Sequence, residues 1–314
     1  MKVPASLSNP LRPAILAAAG SQGLERAITN APVTRRIVDR FVSGETREQA
    51  IAAATGLLGS GRAVSIDFLG EDTTDLVTAR ATVQEYLELI AELPHDNHDV
   101  EVSVKLSALG RGLGPGGDEI AAANARIVCA AAEAAGIWVT VDAEDHTTTD
   151  STLAIVRALR LDFPWLGVVL QAYLRRTARD CLELRDAGSR VRLCKGAYNE
   201  PTSVAFRNKQ EVDASYRHCL EVLFAGHGYP MVASHDPAMI AAVDTLRGER
   251  HLDEYEHQML YGIRGGEQRR LVDAGRRVRV YVPYGTKWYG YFMRRLAERP
   301  SNLRFFLRSV VTDD

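Results

Sequence analysis

Two adjacent arginines beside an aromatic residue, near the end of the chain, have the side-chain types that bind a carboxylate. Tyr291, Arg294 or Arg295, and Glu298 follow one another at intervals of three or four residues. This spacing places them on one face of a helix. Because a guanidinium group donates two parallel hydrogen bonds, that face could clamp a carboxylate. The alternative is an exposed face joined by a Glu298–Arg294 ion pair, and the helix taken alone favours it.

Charged residues also end or interrupt several short apolar segments. Lys105 directly ends the apolar strand-like run of VEVSVKL, Asp142 ends WVTVD, and Arg192 and Lys195 lie in VRLCK. A charge at the end of an apolar strand is partly desolvated and needs a partner. If these segments lie side by side, the charged groups can partner one another.

The elements that must hold these residues form a regular series. From residue 62 onward, short β-branched segments alternate with longer segments of helical periodicity, which is typical of βα units around a parallel sheet. The predicted strands are 62–68, 100–106, 138–142, 167–172, 191–194, 230–234, 255–260 and 277–282. The predicted helices are 74–93, 118–134, 149–159, 175–186, 209–224, 237–246, 267–273 and 288–298.

Eight such units predict an α/β fold of the closed (βα)8 barrel type. We expect residues 62–314 to form this barrel domain, with its last helix closing over the active site. Residues 1–61 are expected to form an N-terminal helical lead-in, with a helix cap at Glu45 and Thr46.

Nearly every predicted unit has a polar group at the carboxyl end of its strand, where barrel enzymes carry their chemistry. These groups are Glu71, Lys105, Asp142, Glu144, Gln171, Tyr173, Arg192, Lys195, His235, Asp236, Tyr261 and Tyr281. Any single one is as readily a helix cap, an ion-pair partner or a satisfied core residue. Their convergence on one rim favours an active site.

Composition and missing motifs exclude several other functions. The 38 basic and 40 acidic residues give a net charge of -2, which argues against nucleic-acid binding. The four cysteines contain no C-x-x-C pair, so a reducing cytoplasm is the simpler location. No apolar run reaches a membrane-spanning length of roughly 20 residues, so any membrane contact should be peripheral.

Motifs for other common chemistries are also missing. There is no Walker A motif, zinc-protease helix, nucleophile elbow or complete dinucleotide fingerprint. No metal site is expected, because His235 and Asp236 lack a further ligand at the usual spacing. The glycine-rich segment 110–117 predicts a mobile loop, with phosphate binding as the alternative.

Taken together, the rim segments resemble the proline dehydrogenase family, both its monofunctional enzymes and the corresponding domain of bifunctional proline utilisation proteins. The resembling segments are DFLGEDTTD, VSVKLSAL, VTVDAEDH, VVLQAYLRRT, VRLCKGAYNEP, MVASHDP, EHQMLYGIR and the terminal YVPYG…WYGYFMRRLAERPSN. The lead-in RFVSGETREQA is similar too, so the resemblance covers almost the whole chain. Cys194, Ser234 and His257 depart from the family's commonest residues.

The resemblance implies a proline site under the last helix. Lys105, Arg294 and Arg295 would bind the carboxylate of L-proline, and Tyr281, Tyr291 and Glu298 would line or order the pocket. Asp142 and Arg192, together with Lys105 and Tyr281, would form the catalytic group. Tyr281 favours proline over a hydroxylated ring, because a smaller residue would suit the latter better.

The resemblance also implies a bound FAD at the rim, with proline between the flavin ring and the last helix. The matching flavin contacts are Ala143, Gln171, Arg192, Lys195, Gly196, Ala197, Ser234 and His235. Arg192 and Lys195 can stabilise negative charge on a reduced flavin, and Gly196–Ala197 allows close approach of the backbone to a ring or phosphate.

The implied reaction transfers a hydride from the ring carbon beside the proline nitrogen to the flavin, giving Δ1-pyrroline-5-carboxylate. Electrons would pass to a membrane quinone. Nothing in the chain resembles the aldehyde-oxidising domain of the bifunctional proteins, so the product is expected to pass to a separate dehydrogenase.

Two other functions remain open on the residues alone. One is a barrel lyase or aldolase in which Lys105 or Lys195 has a lowered pKa and forms a Schiff base. The other is a non-catalytic binding protein on the same scaffold, which would show no dye reduction with proline.

Overall fold

Eight parallel strands form a closed barrel in sequence order. The computed structural model describes residue 15 and residues 38–186, 188–246, 248 and 254–298. The strands are β1 (Ala63–Phe68), β2 (Val100–Val104), β3 (Trp138–Val141), β4 (Gly167–Gln171), β5 (Arg190–Cys194), β6 (Tyr229–Ala233), β7 (Glu256–Leu260) and β8 (Val278–Tyr284). Strand β1 pairs with both β2 and β8, and this double pairing closes the cylinder.

A helix follows every strand of the barrel. The helices are α1 (Arg47–Leu58), α2 (Leu76–Glu92), α3 (Gly117–Ala134), α4 (Thr149–Leu159), α5 (Thr177–Leu184), α6 (Lys209–Phe224), α7 (Pro237–Leu246), α8 (Gly265–Asp273) and α9 (Tyr289–Glu298), with a short 3-10 helix at His146–Thr148. The eight predicted strand-helix units and the barrel are therefore confirmed, with differences of a few residues at their ends.

Helix α1 lies in the expected lead-in and begins at a capping box. The Thr46 hydroxyl accepts a hydrogen bond from the Gln49 backbone N–H, and the Gln49 side chain accepts one from the Thr46 N–H at 3.2 Å. The two bonds satisfy N–H groups that the first helical turn leaves open. The boundary between residues 61 and 62 stays a prediction, and most of the lead-in lies outside the described residues.

Strand alternation divides the barrel into an apolar outer wall and a polar interior. The buried valines of β2, Val100, Val102 and Val104, alternate with Glu101 and Ser103, which share their side of the strand with Lys105. Successive residues of a strand face opposite sides, so the valines pack against the helices. Barrel interiors are commonly filled by branched aliphatic residues, whereas this one is filled largely by charged and hydroxyl groups.

Five inward residues near the amino ends of the strands form what we term the floor: Glu101, Trp138, Arg190, Glu256 and Arg279. The Arg190 Nη2 donates to Glu101 Oε2 at 2.7 Å, and Arg279 Nε donates to Glu256 Oε1 at 2.8 Å. The Arg190 guanidinium carbon lies 3.7 Å from the centre of a Trp138 ring. These contacts give the buried floor charges partners on other strands, as buried charge requires.

Candidate active site

Four side chains meet near the carboxyl ends of β1, β2, β3 and β8, and we term them the mouth cluster: Asp67, Lys105, Asp142 and Tyr281. The Lys105 ammonium donates to Asp67 Oδ2 at 2.7 Å, to Tyr281 Oη at 3.2 Å and to Asp142 Oδ2 at 3.4 Å. The Tyr281 hydroxyl donates to Asp142 Oδ2 at 2.7 Å. The structure therefore brings together the lysine, aspartate and tyrosine that the sequence had on three separate segments.

Arg192 lies next to this cluster and joins it to the floor. Its Nη1 donates to Asp142 Oδ1 at 2.8 Å and to the Ser103 hydroxyl at 2.9 Å. Its Nη2 donates to Glu101 Oε1 at 2.5 Å and to the Ser65 hydroxyl at 3.0 Å. Both terminal nitrogens of the guanidinium group are consequently held by acceptors.

The neighbouring charges determine the protonation state of Lys105. Burial favours its neutral form, but the carboxylates of Asp67 and Asp142 outweigh burial and raise the pKa of Lys105 above its ordinary value. Lys105 is therefore a permanent cation at neutral pH. A Schiff-base nucleophile needs a lowered pKa, so the structure removes the support for that role at Lys105.

The arginine face of α9 lies against the barrel, not in solvent. Tyr291 and Arg295 are buried, and Arg294 donates through both terminal nitrogens to Glu71 in the loop after β1. The Arg294 guanidinium carbon also lies 5.5 Å from the centre of the Tyr198 ring. The alternative of an exposed face is therefore wrong, because this face is buried and Arg294 has a partner in the loop after β1.

Apolar packing holds α9 in this position. Trp288 and Phe292 of this segment belong to one buried cluster with Phe41 and Leu69, and Tyr281 packs against that cluster. The side chain of Glu298 lies outside the described part of the structure. Helix α9 therefore closes over the mouth, as expected.

The residues predicted to contact a flavin lie within or directly after the carboxyl-terminal halves of β3, β4, β5 and β6. Lys195 donates to Asp236 Oδ2 at 2.7 Å, and Gln171 donates to the Glu144 carbonyl at 2.8 Å. His235 Nε2 accepts the Leu260 N–H at 2.9 Å. Ala143, Ala197 and Ser234 lie at the same strand ends, and the flavin roles of this set stay predictions.

The structure shows why residue 196 must be a glycine, which the sequence did not reveal. Its φ is +111°, and a Cβ at this position would lie 2.2 Å from the Tyr173 ring. A side chain would therefore both strain the backbone and strike the tyrosine. The glycine allows Tyr173 to pack under the loop, in addition to any approach to a ligand.

Small side chains and polar groups lie together at the mouth on the side of β5 and β6, as a flat, polar cofactor requires. Cys194 and Ala233 are small, half-buried residues at inward positions of β5 and β6, above the buried Arg192 and Met231. Among the residues that the structure describes, Arg192 Nε and Asp67 Oδ1 are buried without a hydrogen-bond partner. Buried polar atoms normally have partners, so these two fit a ligand that supplies an acceptor and a donor.

Several residues of the site were missed at the level of sequence. Asp67, Glu101 and Ser103 had no assigned role, and Glu71 was noted only as a strand-end group. The signal was strand alternation, because Glu101 and Ser103 share the inward face with Lys105. Tyr198 follows Gly196 and Ala197 in a loop, where alternation gives no guide.

In residues 38–298, apart from the undescribed positions, no three His, Cys, Asp or Glu residues are grouped to hold a metal ion. Over the same described stretch, no helix has the length and apolar character to cross a membrane.

Comparison with known proteins gives a consistent result. The family model for proline dehydrogenase matches residues 50–308. Proline dehydrogenase 1 of Bacillus subtilis (strain 168) is 38% identical over 280 residues, covering 88% of this chain and 92% of that protein. The proline dehydrogenase of Deinococcus radiodurans is 38% identical over 279 residues, covering 88% of this chain and 90% of that protein.

A solved structure has the same barrel. It is proline utilization A (PutA) from Bdellovibrio bacteriovorus, inactivated by N-propargylglycine, with a TM-score of 0.77 and 25% identity. The match covers 90% of this chain and 34% of that one, so the chain spans about a third of that longer protein.

Proposed function

Because the chain belongs to the proline dehydrogenase family, we propose that it oxidises L-proline to Δ1-pyrroline-5-carboxylate, with bound FAD as hydride acceptor. The observation that carries this proposal is the mouth cluster, linked to Arg192 and covered by helix α9. Together these residues provide cations that can bind a carboxylate and an aromatic side chain that can pack against a small ring, within one covered site. Membership of the family supports the substrate, and the donor set of the mouth supports the cofactor.

Proline oxidation removes a hydride from the ring carbon beside the nitrogen and a proton from the nitrogen. The protein's own task is to hold that carbon in reach of the acceptor and to exclude water. Lys105, Arg294 and Arg295 are proposed to bind the substrate carboxylate, because all three are cations near the mouth. Two of them lie on α9, so the same contact would draw the helix onto the substrate.

Tyr281 and Tyr291 are proposed to line the proline ring, with Glu298 ordering the end of the helix. Tyr281 is well suited, since its hydroxyl is fixed by Asp142 at 2.7 Å and Lys105 at 3.2 Å. The ring of Tyr281 then offers a rigid apolar face, and substituents on a hydroxylated proline would meet it. Asp142 orients both Tyr281 and Arg192, which is why we assign it to the catalytic group.

When bound, FAD would supply the hydride-accepting chemistry that no side chain of this chain offers. We propose that it is held by Ala143, Gln171, Arg192, Lys195, Gly196, Ala197, Ser234 and His235. Arg192 and Lys195 would place positive charge beside the cofactor and stabilise the negative charge that it gains. The small residues Cys194 and Ala233 support this placement, because larger side chains there would fill the same space.

The family resemblance supports three finer proposals. Electrons are passed to a quinone, the product is oxidised by a separate aldehyde-oxidising dehydrogenase, and the protein works in the cytoplasm with peripheral contact to the membrane.

The test is the reaction itself. Purified protein is incubated with L-proline and an artificial electron-accepting dye, and the product is analysed by mass spectrometry. We expect proline-dependent dye reduction and a product lighter than proline by two hydrogen atoms. A colourless protein that reduces no dye, and from which borohydride traps a lysine adduct at Lys195, would favour the lyase interpretation instead.

A further inference from the structure

Glu101 is a buried carboxylate of the floor that also contacts Arg192. It belongs to β2, faces inward and is fully buried. Its Oε2 accepts from Arg190 at 2.7 Å. Its Oε1 accepts from Arg192 at 2.5 Å and from the Ser65 hydroxyl at 2.7 Å.

The contact with Arg192 fixes how that arginine can be oriented. One terminal nitrogen of Arg192 is bound by Asp142 and Ser103, and the other is bound by Glu101 and Ser65. A guanidinium group is planar, so acceptors on both terminal nitrogens define its plane. Asp142 and Ser103 fix one edge of the group, and Glu101 and Ser65 fix the other; Glu101 is the charged, and therefore the stronger, acceptor on that second edge.

Glu101 also acts on the charge of Arg192. Burial disfavours a charged carboxylate, but Arg190 and Arg192 outweigh burial and hold the pKa of Glu101 well below its usual range. Glu101 is therefore ionised at neutral pH, at hydrogen-bond distance from an arginine in a low-dielectric interior. There, a neighbouring charge is felt much more strongly than in water.

We propose that Glu101 is a positioning residue for proline oxidation: acting through Arg192, it fixes the guanidinium plane and limits the positive charge presented to the mouth. The proposal rests on the proposed function, in which Arg192 contacts the flavin. Glu101 itself touches neither substrate nor cofactor, and Arg192 carries its effect. The chain Glu101–Arg192–Asp142–Tyr281 thus runs from the floor to the substrate wall.

Glu256 provides a matched control. It is also fully buried, faces inward and contacts an arginine, Arg279, at 2.8 Å. It also accepts from Gln258 at 2.5 Å and from the Tyr229 hydroxyl at 3.4 Å, and Arg277 lies 3.4 Å away; none of these hydrogen-bond or ion-pair partners is Arg192. Glu256→Gln and Glu101→Gln each remove one buried negative charge, and only in Glu101→Gln does that charge come from a side chain hydrogen-bonded to Arg192.

The experiment compares wild type, Glu101→Gln and Glu256→Gln as flavin-loaded proteins. It measures kcat and KM for proline, the midpoint potential of the bound flavin, and the melting temperature.

For Glu101→Gln we expect kcat to fall about tenfold or more, since misplacing a positioned group by about 1 Å can cost 100-fold. KM should change by less than about twofold, because Glu101 makes no contact with the substrate-binding cations. The potential should become more positive, because the less compensated Arg192 favours the reduced, negatively charged flavin. Glu256→Gln should lower the melting temperature and change kcat and the potential much less than Glu101→Gln does, because Glu256 acts on Arg192 only through space.

Equal changes in both glutamine variants, or an unchanged potential in Glu101→Gln, would overturn the proposal. If Glu101→Gln does not fold, Glu101→Asp serves in its place, because it keeps the charge and withdraws the carboxylate from Arg192. It should keep the wild-type potential and lose kcat, and wild-type kcat in this variant would also contradict the proposal. Failure of the proposed function is seen separately, since wild type would then not oxidise proline at all.

Discussion

The floor and the mouth of the barrel interior both contain charged side chains, but they partner these charges differently. At the floor, Glu101 and Glu256 are fully buried and bind arginines that lie on other strands. At the mouth, Arg294 binds Glu71 from a loop, and Lys195 binds Asp236 from another loop. Floor partners are therefore fixed by the sheet itself, whereas several mouth partners are carried by elements that can move while the barrel stays closed.

This difference explains how the pairing of buried charges can contribute to stability in one region and to function in another. A buried charge needs a partner wherever it lies. Where all partners are on strands, the pair strengthens a single closed structure. Where loops and the last helix supply them, the same need holds a lid over a site that must admit and release a substrate.

The largest effect is expected from breaking a floor pair. Arg279→Met should lower the free energy of unfolding by about 3–5 kcal/mol, because it leaves the Glu256 carboxylate buried without its main partner. KM for proline should stay at the wild-type value. Urea unfolding measures the change, with Arg157→Met as control, since the Arg157–Glu183 pair is exposed and worth less than about 1 kcal/mol. A loss of proline affinity without loss of stability would break the distinction between floor and mouth.

The next effect concerns the centre of the mouth. Asp142→Asn should lower kcat on the order of 100-fold, because Arg192 and Tyr281 both lose the carboxylate that orients them. Its cost in unfolding free energy should be smaller than that of Arg279→Met, since Arg192 keeps Glu101 and Lys105 keeps Asp67. Steady-state kinetics and urea unfolding of the same preparation provide both values. Wild-type turnover in this variant would remove Asp142 from the catalytic group.

Changes in helix α9, which covers the mouth, should affect proline binding more than either stability or cofactor content. Arg294→Met or Arg295→Met is expected to weaken proline binding by about 2 kcal/mol, because a charge-assisted partner of the carboxylate is lost. Flavin content, measured by absorbance, should stay nearly unchanged. If both variants bound proline as tightly as wild type, α9 would not hold the carboxylate clamp.

The smallest effect at neutral pH concerns a residue outside the barrel interior, which changes stability only in acid. Burial and the nearby charge of Arg276 lower the pKa of His257, on the outer side of β7, from 6.5 to about 4. Between these pH values the unfolded chain binds the extra proton and the folded chain does not, so stability rises with pH across this window. The slope should be at most about 1.4 kcal/mol per pH unit. His257→Phe should remove this contribution in urea unfolding at several pH values, without changing KM at neutral pH; an unchanged slope would show that other groups cause it.

The order of elements could be predicted because each strand and helix leaves a local pattern in the sequence. Strand β2 shows what such a local pattern predicts and what it does not. Its apolar alternation predicted a strand that presents Lys105 at the mouth, and the same alternation places Glu101 and Ser103 inside. Which partners these residues meet depends on the stagger between strands, and a local pattern does not contain that stagger.

Helix α9 shows the opposite case. Its arginine face has the spacing of a solvent-exposed, salt-bridged helix, and only packing against Phe41 and Leu69 turns that face toward Glu71 and the mouth. Gly196 is similar, since its reason is the ring of Tyr173, which comes from a different strand end. Long-range contacts of this kind decide the role of a residue after its local structure is already fixed.

The most direct test of the account is the visible absorption spectrum of the purified protein under anaerobic conditions, before and after addition of L-proline. We predict a yellow protein with a flavin spectrum that bleaches when proline is added, because the mouth then holds both cofactor and substrate. A protein with no flavin absorbance after reconstitution with FAD, or with a flavin that proline does not bleach, would contradict the proposed site.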